Sequence, residues 1–180
     1  MGRRFFGCLA LLTCVTAFGV GMGDAGAAGR EAGAISAVDA LESQTLDSLN
    51  AIRRQHGLVP LRIAPALQAA ADAHSFAMGR YGFFGHDSRD GSGFDKRVGR
   101  FYDSRGYGAW SVGENLLWAS PAVDAEAALR AWMASPAHRK NILTPRWREI
   151  GLSVVAVERA PGVFGNRDVT IMTTEFGVRS

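Results

Sequence analysis

The chain has 180 residues, with 20 Lys and Arg against 17 Asp and Glu, a net charge of +3. That is the length of one domain, and the charge is too small and too scattered to suggest nucleic-acid binding. Cys8 and Cys14 are the two cysteines, both near the N-terminus, so the remainder has no disulfide, thiolate ligand or thiol nucleophile and must be held by its core.

The N-terminus predicts export. Arg3 and Arg4 precede an apolar stretch, Phe5 to Val20, that is too short to span a bilayer comfortably. Ala25-Gly26-Ala27-Ala28 then supplies the small residues of a cleavage site, so residues 1–28 read as a signal peptide and the destination as secreted or periplasmic. A membrane association follows only if that signal stays uncleaved. Removing Arg3, Arg4 and Asp24 leaves 18 basic against 16 acidic residues. The mild basic excess suits a solvated surface, with envelope components as the anionic partners it would meet.

Residues 29–42 read as a flexible Gly, Ala and Ser leader running into the start of a first helix, and the compact domain as 43–180. The helix is expected from about Val38 to Gln55, with Leu41, Leu46, Leu49 and Ile52 near one stripe and Gly57 as its stop. Asn50 and Arg53 are expected to tie it to the core, and His56 to favour its C-terminal end. Leu58 to Leu61 is an extended link. A second helix runs from Pro65 to Gly79, with Leu67, Ala71, His74 and Met78 inward, which makes His74 a core histidine.

Tyr81 to Gly108 reads as a structured loop region with a short helix near Phe94 to Phe101. Ser120-Pro121 is expected to open a third helix with Asp124 in its first turn, and Ser135-Pro136 a fourth, ended by Thr144-Pro145. The period then changes: Ile150, Leu152 and Val154 alternate, and Val169 to Phe176 is β-branched. With Pro161, Gly162, Gly165 and Asn166 between them, the two runs predict a hairpin. Trp132, Met133, Phe83 and Phe84 read as core.

Three segments carry polar residues of chemical interest. They are Phe83-Phe84-Gly85-His86-Asp87-Ser88, Val112-Gly113-Glu114-Asn115-Leu116, and Ala131-Trp132-Met133-Ala134-Ser135-Pro136-Ala137-His138-Arg139-Lys140-Asn141. Their order, with the hairpin behind them, resembles the CAP superfamily, or SCP domain, of cysteine-rich secretory proteins, venom antigen 5 and pathogenesis-related proteins. The short bacterial branch is most similar, over residues 43–178.

The resemblance implies an α+β fold, a three-layer α-β-α sandwich with a cleft on one side. It implies that His86, Glu114 and His138 line the cleft, with Asn115 and Ser88 beside them. The family's second acid falls on Ser135, so the four-residue site is incomplete; Glu126, in the preceding helix, is an alternative source. Glu175 stands where a glutamine is common.

The residue chemistry is compatible with this. Two neutral imidazoles, His86 and His138, suit a divalent metal such as zinc, with positions left for water. Ser135-Pro136 reads as an N-cap and first helical position, so the positive helix end disfavours protonated His138. Glu114 could orient a histidine or act as a base toward bound water; alternatively Glu114 and Asn115 brace the backbone. No Gly-x-Ser-x-Gly elbow is present. Two functions follow as expectations: an exported module that binds a small ligand, lipid, glycan or peptide at a His/Glu/His cleft, or a metal-dependent, peptidase-like hydrolase using the same residues.

Overall fold

The computed structural model describes the chain from Ala25 onward and side chains from Ser36. Of the expected signal, 1–28, residues 1–24 lie outside the described residues, and Ala25 to Ala28 are the first residues of the first helix. The elements in order are α1 (Ala25–Gln55), β1 (Arg62–Ile63), α2 (Pro65–Tyr81), α3 (Phe94–Gly99), β2 (Trp110–Ala119), α4 (Ala125–Ala134), α5 (Pro136–Ile142), β3 (Glu149–Ala160) and β4 (Arg167–Arg179).

The four strands form one sheet in the order β1-β3-β4-β2. β3 and β4 are the expected hairpin, antiparallel with Ile150 opposite Phe176 and Gly151 opposite Glu175. β4 also pairs antiparallel with β2, placing Glu175 opposite Glu114. Helices α1, α4 and α5 cover one face, and α2 and α3 the other. This is the expected α-β-α sandwich.

The first face holds the main core. Leu49 of α1 and Trp132 of α4, both fully buried, pack on Ile150, Leu152, Met172 and Phe176 of the hairpin. Each such side chain contributes roughly 1.5–3 kcal/mol through removal from water. Arg53 and Asn50 tie α1 in as expected. Arg53, fully buried, donates to the carbonyls of Val59, Ile142 and Thr144, and Asn50 exchanges two hydrogen bonds with the Leu61 backbone. His56 sits at the end of α1 with Nδ1–H donating to the Ile52 carbonyl at 2.9 Å.

The second face is reached at close range. A Cβ at Gly151 would lie 2.1 Å from the carbonyl carbon of Leu67, so α2 rests directly on the backbone of β3. Gly82 closes α2 in the left-handed region (φ 69°), with its N–H donating to the Met78 carbonyl.

Three expectations are corrected. α1 begins at Ala25, so the stretch read as a flexible leader, 29–36, is helical, and it runs straight on into the turns whose Val38 and Leu41 pack on the core. The third helix begins at Ala125 rather than at Ser120-Pro121, because Asp124 is the N-cap: its carboxylate accepts the Ala127 N–H at 2.7 Å. And β2, for which the sequence offered no strand reading, is ten residues long.

Candidate functional site

Glu114 is the centre of the site. It lies mid-way along β2 on the α2/α3 face, and its side chain is 1% exposed. Burial alone would raise its carboxyl pKa, but His86, Arg97 and His74 together hold it below the ordinary value. His86, on the loop after α2, donates Nδ1–H to Glu114 Oε1 at 2.7 Å. Arg97 of α3 donates Nη2–H to Glu114 Oε2, and His74 Nε2 lies 3.8 Å from that same oxygen.

Arg97 organises the loop as well. Its Nη1 donates to the His86 carbonyl at 2.7 Å and reaches Ser88 Oγ at 3.5 Å, and its Nη2 reaches Glu175 Oε1 at 3.3 Å. Glu175, fully buried, has its pKa pushed well up by burial and by the neighbouring Glu114 charge. One guanidinium therefore faces two carboxyl groups whose pKa values are pushed in opposite directions. Glu175 Oε2 is buried with no hydrogen-bond partner among the described residues.

His74 is 1% exposed and donates Nε2–H to the Gly85 carbonyl at 2.9 Å. Burial lowers its pKa to about 4, so it is neutral. It is the core histidine expected from its helix stripe, and it also supports the back of Glu114.

Asn115 points to the opposite face. Fully buried, it donates Nδ2–H to the His138 carbonyl at 3.1 Å and accepts from Asn141 Nδ2 at 2.9 Å. Asn141 also donates to the Glu114 carbonyl. The Glu114-Asn115 pair thus faces both ways across the sheet: Glu114 fixes His86, and Asn115 fixes the first turn of α5 that carries His138. His138 is partly buried; desolvation lowers its pKa, with the charge of His86 adding to the effect. The Glu114 bond, offset by burial, raises that of His86. His86 and His138 come from separate elements, and the charge of the first is felt at the second.

Ser135 occupies the N-cap of α5 in extended conformation, but its hydroxyl makes no capping hydrogen bond. Glu126 does not replace the missing acid: it is 84% exposed on α4 and pairs with Arg130 one turn on. The sequence reading missed Arg97, for which no local signal exists. It gave Glu175 no role in the site, although an acid at the inward position of the Val169, Ile171, Thr173, Glu175 stripe was a usable signal.

The donor set can be tested against a divalent cation. Glu114 backs His86 as a carboxylate does behind a metal-bound imidazole, leaving the Nε2 lone pair free. Both Glu114 oxygens are engaged, so His86 and His138 are the protein donors that remain. Among the described residues no group of three or more His, Cys, Asp or Glu is arranged to hold a metal.

The model of the Cysteine-rich secretory protein family, CAP, matches residues 46–164. The chain belongs to this family. The protein YkwD of Bacillus subtilis (strain 168) is 37% identical to this CAP domain over 121 residues, which are 67% of this chain and 44% of that protein. An extracellular protein containing an SCP domain from Bacillus anthracis str. Ames is 29% identical, with a TM-score of 0.56, over 77% of this chain and 40% of that one. An outer surface protein from Borrelia burgdorferi shares the fold at 18% identity and a TM-score of 0.56, over 75% of this chain and 90% of that one. The matched region spans less than half the length of the curated relatives.

Proposed function

We propose that this CAP-domain chain is an exported module that works outside the cytoplasm and binds a ligand (lipid, glycan or peptide) at the rim formed by His86 and His138, with a divalent cation held by the two imidazoles. The observation that carries this is the state of Glu114: buried, with one oxygen on His86 Nδ1–H and the other on Arg97. A carboxylate held this way fixes the tautomer of His86 and presents its second nitrogen.

The same geometry weighs against the hydrolase reading. A general base must reach the proton it removes, and Glu114 is 1% exposed with both oxygens engaged. Glu114 is therefore a positioning residue, and Ser135 carries no acid to take its place. Export is supported by the N-terminal sequence and by the relatives, one an extracellular protein and one an outer surface protein.

The test is calorimetric titration of the full chain with zinc, beside His86→Ala/His138→Ala. One zinc bound per chain, lost in the variant, is expected. Binding unchanged in the variant, or none in the wild type, overturns the two-imidazole site.

A further inference from the structure

A cavity lies between α2, the loop carrying His86 and α3, against the back of the Glu114 site. It measures about 240 Å³. Its walls include Ala77, Phe83 and Phe101, and three arginines line it: Arg89, Arg97 and Arg100. Among the described residues no carboxylate lines it.

The arginines are differently placed. Arg97 is 6% exposed and committed through both terminal nitrogens to the Glu114 site, yet its Nε is buried without a partner among the described residues. A leftover guanidinium donor of this kind is uncommon in a folded protein. Arg89 is exposed and lies 4.5 Å over the ring of Tyr81. Arg100 stands 3.7 Å from Asp90, both side chains more than half exposed, and a pair so exposed holds its partner weakly.

The surface around the opening is aromatic. Phe76, Tyr81 and Phe101 are 57%, 50% and 41% exposed. On α2, Ala73, Phe76, Ala77 and Arg80 follow three- and four-residue spacing and share one outer face. Arginine forks beside exposed rings match a ligand that is anionic at one end and apolar at the other.

We propose that this cavity is a binding site for an amphipathic phosphate ester, its phosphate gripped by Arg89 and Arg100 and its apolar part set against Phe83 and Phe101. Guanidinium forks match phosphate oxygens two at a time, and rim arginines can close on such a group as a lysine cannot. The cavity adjoins the Glu114 site, sharing His74, Ser88 and Arg97 with it, but neither His86 nor His138 lines it, and the binding proposed here does not rest on a cation at those imidazoles. The phosphate could belong to a lipid or to a small solute; the chemistry at the arginines is shared.

The experiment titrates the full chain with dihexanoylphosphatidic acid as soluble monomer, dihexanoylphosphatidylcholine and inorganic phosphate, following heat and the Arg Nε–H resonances. Phosphatidic acid is expected to bind at least tenfold tighter than either of the other two, and Arg89→Glu/Arg100→Glu to weaken it at least tenfold. Because both side chains are exposed, the variant is expected to melt as the wild type does. The His86→Ala/His138→Ala chain is expected to bind as the wild type does, which separates this site from the imidazole rim. Inorganic phosphate binding as tightly as the lipid retains the phosphate site and assigns it to a free solute. Absence of binding, equal affinity for phosphatidylcholine, or affinity unchanged in the charge-reversed variant overturns the proposal.

Discussion

The two faces of the sheet are built on different physics. The α1/α4 face sets Ile150, Leu152, Val154, Met172 and Phe176 against Leu49 and Trp132, and its buried polar side chains, Arg53, Asn50 and Asn115, donate to neutral backbone carbonyls. The α2/α3 face sets Gly151, Ser153, Thr173, Glu175 and Glu114 against His74, Ser75 and Arg97, all buried. The first face draws its stability mainly from apolar area, and its one buried guanidinium, Arg53, is satisfied by carbonyls rather than by a carboxylate. The second has to offset the desolvation of a guanidinium and a carboxylate by bonding them to each other. What it gains is a fixed orientation for His86. The comparison teaches where this protein is robust and where a single atom matters.

The sharpest way to break that contrast is to remove the cation that lies among the buried carboxyls. Arg97→Met leaves Glu114 ionised and Glu175 beside it with no counter-charge, and we expect a loss of about 3–5 kcal/mol in urea denaturation. Adding Glu114→Gln and Glu175→Gln to it should recover most of that loss, since the buried charge is then gone. A loss below about 1 kcal/mol for Arg97→Met alone would mean that water reaches these carboxyls, and the two faces would not differ as argued.

A steric test comes next. Gly151→Ala sets a methyl group 2.1 Å from the Leu67 carbonyl carbon, where backbone, not a flexible side chain, is the obstacle. We expect a cost of about 1–3 kcal/mol, the usual range for overpacking. Full stability in this variant would show that α2 can lift from β3, and the polar network beneath it would then be a loose one.

The polar face should also respond to pH. His74 is held neutral, with its pKa lowered to about 4 from 6.5. As pH falls below 6.5 the unfolded chain takes a proton that the folded chain refuses, so stability is lost down to about pH 4. Between about pH 6.5 and 5 this amounts to on the order of 2 kcal/mol. His86 works in the opposite direction, because its raised pKa adds stability as pH falls. The measurable quantity is therefore the difference between wild type and His74→Gln, which should shrink the acid-side loss. Identical pH profiles would show that His74 is not the group refusing the proton.

These tests fall where the sequence was least legible. The apolar face could be read in advance: Leu41, Leu46, Leu49 and Ile52 repeat at helical spacing, and Ile150, Leu152 and Val154 alternate, because oil-like burial imposes periodicity. β2 could not, because both of its faces are buried at its middle and polar groups occupy both, Glu114 one and Asn115 the other. No alternation survives such a strand. The site was legible through His86, Glu114 and His138 by their motifs, and Arg97 was not. A buried arginine on a six-residue helix looks like any surface arginine until its partner strand is placed.

The finest test separates the two carboxyls. Glu175→Gln keeps an acceptor for Arg97 Nη2 and a donor for Glu114, so at about pH 5 it should differ from wild type by no more than about 0.5 kcal/mol. Glu175 keeps its proton in the fold but loses it in the unfolded chain above about pH 4.5. The wild type therefore loses stability as pH rises through that window, by up to about 1.4 kcal/mol per unit, until the folded group ionises. Glutamine has no proton to lose, so the variant should gain on the wild type as pH rises above about 4.5 in paired urea titrations. A constant difference across that range would mean that Glu175 is ionised in the fold. Arg97 would then be serving two anions at once, and the single-cation, single-anion account of the polar face would have to be abandoned.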